Sequence, residues 1–191
     1  MPARLTGSPQ RQSTSRRRFS AQQVIPAHLT PPPTSPLGLV GYSGPGPDLW
    51  LCSCHGGAGT STLAALVPRS VNAGRYWPVP TSDGQAQVLL VARSHASGLC
   101  AAQAATHQWA AGALPNVRLL GLVVIADAPG KRPKPLNELL RLISGGVPKL
   151  WELPWIEALR LGIPPNQVRL PPAYLRLIRD LDHELTEEQN A

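Results

Sequence analysis

Several absences set the first bounds on this 191-residue chain. It has three cysteines, too few and too unevenly spaced for a disulfide framework, which excludes the stapled secreted scaffolds. No run approaches the roughly 18 apolar residues of a membrane-spanning helix. The reading is therefore a chain without a membrane span, at home in a reducing cytoplasm. Ser15-Arg16-Arg17-Arg18-Phe19 has the look of a twin-arginine export signal, but the apolar stretch that must follow is missing: Ser20-Ala21-Gln22-Gln23-Val24 is polar. There is no internal repeat.

Acid is scarce in one place. Residues 1 to 38 hold Arg4, Arg11, Arg16, Arg17 and Arg18 and no Asp or Glu, so they carry +5 of the formal net charge of +7. The remaining +2 leaves the rest of the chain nearly balanced, and its charge does not argue for nucleic acid. Residues 1 to 46 are rich in Pro, Ser, Thr, Gln and Arg, with Pro31-Pro32-Pro33 and Gly44-Pro45-Gly46-Pro47 at the end. Such a stretch buries too little apolar surface to offset its ordering entropy, which predicts a disordered basic arm. The partner reading it supports is an electrostatic contact of this arm with nucleic acid or anionic lipid.

What is present begins at Leu49. Short apolar runs alternate with helical stretches, the pattern of a parallel sheet with crossover helices, so the expected fold is α/β, three-layered and doubly wound. Strands are predicted at Leu49 to Cys54, Val88 to Ala92, Leu119 to Ala126 and Lys149 to Leu153. Helices are predicted at Thr62 to Val67, Ser97 to Gly112, Pro135 to Ser144 and Trp155 to Leu161, while residues 68 to 87 show no period and read as irregular. This organises the chain as an arm at 1–46, a domain at 47–165 and a C-terminal helix at 166–191. In that helix Tyr174, Ile178, Leu181 and Leu185 form one apolar stripe, expected to pack on the domain.

Between the first strand and first helix lies Cys54-His55-Gly56-Gly57-Ala58-Gly59-Thr60-Ser61-Thr62. A glycine-rich turn there aims backbone N–H groups at a concavity that attracts phosphate. Candidate ligand-binding residues are Gly56, Gly57, Gly59, Thr60, Ser61 and Thr62. Nucleotide chemistry also needs a lysine on the terminal phosphates and a hydroxyl on magnesium. Ser61 supplies a hydroxyl; the lysine is absent.

The loop resembles the deviant phosphate loop of the MinD and ParA group of P-loop NTPases (SIMIBI class), Lys-Gly-Gly-x-Gly-Lys-Thr/Ser-Thr/Ser. Downstream, Val88 to Arg93, Leu120 to Val124 and Gly146-Val147-Pro148 through Pro154-Trp155 are similar to that group's later segments in the same order. The resemblance covers residues 48 to about 163 and implies a P-loop-like fold with ATP and magnesium as the cofactors to consider. Two departures stand against hydrolysis: His55 and Thr60 occupy the two lysine positions, and the acidic switch segment is missing, since Asp83 is the lone acid between Pro68 and Gln87. The leading expectation is a degenerate member serving as an interaction or regulatory module with an unidentified protein partner. Two alternatives stay open: a weak ATPase using the lysine-less loop, and a nucleic-acid accessory factor acting through the arm.

Asp127, before Ala128-Pro129-Gly130, reads either as a second magnesium-site residue beside Ser61 or as a turn former. Lys131, Arg132 and Lys134 follow and are candidates to replace the lost positive charge. Cys52-x-Cys54-His55 reads as buried thiols rather than metal ligands, for want of a fourth ligand nearby. His95 and His107 have no identifiable catalytic partner. Tyr76, Trp77 and His55 are the side chains able to plug the loop.

Overall fold

The computed structural model describes residues 36–114 and 116–189, with side chains to Glu187. The basic part of the arm, with the nucleic-acid contact expected of it, lies outside the described residues. Strands β1 (Gly38–Tyr42), β2 (Leu49–Ser53), β3 (Ser70–Gly74), β4 (Tyr76–Pro80), β5 (Ala86–Arg93), β6 (Val117–Ile125) and β7 (Leu150–Leu153) alternate with helices. These are α1 (Thr60–Ala64), α2 (Ala96–Ala110), α3 (Lys134–Ser144), α4 (Glu157–Arg160) and α5 (Pro172–Gln189).

Five strands form one sheet in the order β3-β2-β5-β6-β7, and every pairing within it is parallel. The chain runs from β2 outward to β3, then returns past β2 to build β5, β6 and β7 on the other side. Such a reversal opens a crevice at the carboxyl edge of the sheet, where ligands bind in doubly wound folds. The glycine loop leaves β2 at that crevice.

Alternation along the strands sends one set of side chains to each face. Leu49, Leu51, Leu89, Val91, Val123 and Leu153 share a core with Leu63 of α1 and with Tyr174, Leu177, Leu181 and Leu185 of α5. On the opposite side α2 and α3 pack, with Val88, Leu90, Ala92, Leu122 and Val124 buried. The result is the three-layer α/β fold. The buried stripe of α5 includes Leu177 in full and Ile178 only in part. Its polar shoulder is tied down as well: Asp180 accepts from the Trp151 indole at 3.1 Å and faces Lys149 Nζ at 3.3 Å. No described helix is long and apolar enough to cross a membrane.

Two segments differ from expectation. Residues 68 to 87 are not irregular: β3 and β4 lie within them, β3 as the edge of the main sheet. Residues 36 to 46 are not a featureless end of the arm, because β1 pairs in parallel with β4 to make a second, two-stranded sheet. The physical reason is the side chain of Gln108 on α2. Its Oε1 accepts from the Leu37 N–H at 3.0 Å and from the Trp77 indole at 2.9 Å, and its Nε2 donates to the Leu37 carbonyl at 2.9 Å. Leu37 and Trp77 are both buried by this tie.

Gln108→Leu leaves a buried indole N–H and the Leu37 peptide without partners. At about 1–3 kcal/mol for each buried group orphaned, guanidinium unfolding should show a loss of roughly 3 kcal/mol. Gln108→Glu, which still accepts both N–H bonds, should lose less.

Candidate functional site

Beyond Ser53 the chain turns sharply and enters α1 at Thr60. Gly57 and Gly59 hold φ of 74° and 93°, left-handed values that a side chain strains, whereas Gly56 does not. At Gly59 space is short too: a Cβ would lie 3.0 Å from Ile125 Cδ1. The loop is sewn onto the neighbouring strand by the Cys54 N–H, which donates to Val91 O at 2.9 Å.

At the position where the resemblance expects a lysine, the side chain is turned inward. Thr60 is buried, and its Oγ1 accepts from the Ser53 hydroxyl at 2.6 Å. Ser61 is exposed but engaged, accepting from Asn72 Nδ2 at 2.9 Å. Asp127 is exposed and takes the Ser94 hydroxyl on Oδ1 at 2.6 Å, while its own N–H donates to Ser94 Oγ at 3.2 Å. The two magnesium candidates are thus each bonded to a different neighbour, Asn72 and Ser94. Among the described residues no group of three or more His, Cys, Asp or Glu is arranged to hold a metal ion. Cys52, Cys54 and Cys100 are free and buried. Burial, with the Cys54 charge added, raises the Cys52 thiol pKa, and burial pushes that of Cys54 up to about 12, so both stay protonated.

His55 has a structural task. The Arg93 N–H donates to its Nε2 at 2.9 Å, which leaves the ring proton on Nδ1 to donate to Gly56 O at 2.8 Å. Burial is the largest influence on this ring and lowers its pKa from 6.5, with the charges of His95, Arg93 and Arg75 acting in the same direction and the Gly56 bond opposing. His95 stands edge-on, ring centroids 5.0 Å apart, and caps α2 by accepting from the Gly98 N–H at 2.9 Å. Gly98 is where α2 presses hardest: a Cβ there would meet Arg93 O at 2.4 Å and His55 Nε2 at 2.9 Å.

Arg93 ends β5, and its side chain crosses toward the loop. Nη1 donates to Ala126 O at 2.8 Å, Nε reaches Gly57 O at 3.5 Å, and Nη2 lies 3.7 Å from where a Gly59 Cβ would be. Arg93 thus brings a positive charge against the loop, while the charge of Arg75 also acts on His55. The basic run after Asp127 is placed elsewhere: Arg132 binds Glu152 at 2.6 Å and Asn137 at 3.1 Å, and Lys131 and Lys134 are exposed. With Asp127, His95 and Arg132, Lys131 lines a second cavity of about 490 Å³. Arg93 was detectable in principle as a lone cation at the carboxyl end of an unbroken apolar strand. Only strand order, which puts β5 beside β2, shows what it serves.

Against the loop lies a cavity of about 350 Å³, bounded by Gly57, Gly59 and Thr62, by Arg93 and Asp127, and by apolar side chains from α1, β6, the Trp155–Arg160 segment and α5. Trp77 is buried against Gln108, and Tyr76 lies over Gly38, so neither is a wall of this cavity. Tyr174 closes one side, with its hydroxyl donating to Pro154 O at 3.2 Å. Burial lifts that phenol to about 12, against the opposing pull of Arg93, and keeps it neutral.

A lowered His55 pKa means the unfolded chain binds more protons than the native one below 6.5. The stabilisation from the neutral ring is complete above that value and is lost as pH falls through the lower folded value. Thermal unfolding should show stability declining on acidification across this window. His55→Gln, whose amide oxygen still accepts from Arg93, should flatten the decline.

No curated protein matches the chain. Residues 47–170 match the model of a family described as a family of unknown function (DUF6668). The matched stretch holds the whole five-stranded sheet, the glycine loop and Arg93, and by this match over more than half its length the chain belongs to that family.

Proposed function

We propose that this chain is a degenerate relative of the MinD and ParA group, a phosphate-loop scaffold retained as an interaction or regulatory module that does not hydrolyse nucleoside triphosphates. One observation carries the reading: the side chain at the lysine position, Thr60, is turned inward and bonded to Ser53. Phosphoryl transfer depends on fixed positive groups that neutralise the charge developing on the transferred phosphoryl. A buried hydroxyl already accepting a bond does not supply one. The hydroxyl and carboxylate proposed for magnesium are held by Asn72 and Ser94, which supports the same reading. The module acts on a protein partner in the cytoplasm, a compartment that suits three unpaired, buried thiols.

With magnesium and ATP, phosphate release should not exceed that of buffer, and calorimetric titration should show no sub-millimolar binding. Sub-millimolar binding that Gly59→Val abolishes would overturn the proposal in favour of an ATP-binding enzyme. Thr60→Lys should lower the melting temperature without creating turnover, because it breaks the Ser53 bond and forces an ammonium into a buried position.

A further inference from the structure

The cavity against the loop has the size and walls of a small-molecule site, at the lower end of the roughly 300–1,000 Å³ such sites occupy. Its composition differs from what a triphosphate requires. Leu63, Leu66, Ile125 and Leu159 give it an aliphatic lining, and Trp155 and Tyr174 add aromatic surface. Its charged lining residues are Arg93, Arg160 and Asp127, one net positive charge. Asp127 is already bonded to the Ser94 hydroxyl, and Arg93 Nη1 to Ala126 O, but Arg93 Nη2 has no acceptor among the described residues.

We infer that this cavity binds an organic monocarboxylate with an apolar tail. The carboxylate lies against the Nη2 edge of Arg93 beside Gly59, and the tail lies between α1 and the Trp155–Arg160 segment. Arg93 is fitted to the task because a guanidinium presents fixed N–H groups to a planar carboxylate. Its anchor on Ala126 O restricts its rotamers before the ligand arrives, which lowers the entropy lost on binding. One net positive charge in a half-buried setting balances one negative charge and leaves a phosphomonoester, near −2, in excess. The inference rests on the non-hydrolytic reading of the loop and names the ligand class that the regulated site takes.

Calorimetric titration of the full chain with octanoate, 1-octanol, octyl phosphate and magnesium ATP tests it. Octanoate should bind saturably and at least tenfold more tightly than octanol, and octyl phosphate no more tightly than octanoate. Arg93→Gln, which keeps a donor for Ala126 O, should erase the preference for octanoate over octanol. Leu159→Trp, on the short and partly exposed α4, should fill the cavity and weaken both ligands by tenfold or more while leaving the melting temperature in place. It carries the test if Arg93→Gln does not fold. Equal affinity for octanoate and octanol, no saturable octanoate binding, a tenfold preference for octyl phosphate, or indifference to Leu159→Trp would each overturn the inference. Failure of the underlying reading is separate and is seen as sub-millimolar binding of magnesium ATP that Gly59→Val abolishes, or as turnover of ATP, with or without octanoate.

Discussion

The hydrogen bond from the Arg93 N–H to the His55 ring is the contact on which the site depends. It joins the first residue of the glycine turn to the last residue of β5, across the crevice that the reversal of strand order opens. With that peptide held, the Arg93 side chain has one direction in which to extend, and it ends among Gly57, Gly59 and Ala126. The α2 helix closes on the same point through Gly98, where no side chain fits. A neutral ring is a condition of the arrangement, because a protonated Nε2 cannot accept.

Set against the loop that the sequence resembles, His55 and Thr60 at its two lysine positions read, from residue types alone, as two charges fewer. In three dimensions each of the two side chains has a packing role. His55 is an acceptor for the strand end, and Thr60 an acceptor for Ser53. These two bonds tie the loop to β5 and to the end of β2.

Much of the fold was legible because its elements are locally self-consistent. The apolar runs of β2, β5 and β6 read as strands, β5 being continuously apolar because both its faces are covered, and the α5 stripe at Tyr174, Leu181 and Leu185 faces the core where its spacing put it. The misses share a cause: β1 and β4 are defined by each other and by Gln108, some 70 residues from Leu37, and Pro78 and Pro80 argue locally against a strand. β3 is a short edge strand with no alternation of burial to betray it. At the site the glycine positions were visible, but the orientation of Thr60 and the reach of Arg93 were not. Thr60 is fixed by the geometry of the turn, which brings its hydroxyl back onto Ser53, and the reach of Arg93 depends on β5 lying beside β2, a long-range property.

The family match ends at residue 170, and α5 begins at Pro172. Tyr174, which walls one side of the cavity, therefore lies outside the matched stretch. The loop and Arg93 lie within the matched stretch, and the side at Tyr174 is furnished by a core helix held at its rim by Lys149 and Trp151. A change confined to α5 would therefore reshape this wall of the cavity while leaving the glycine loop and Arg93 as they are.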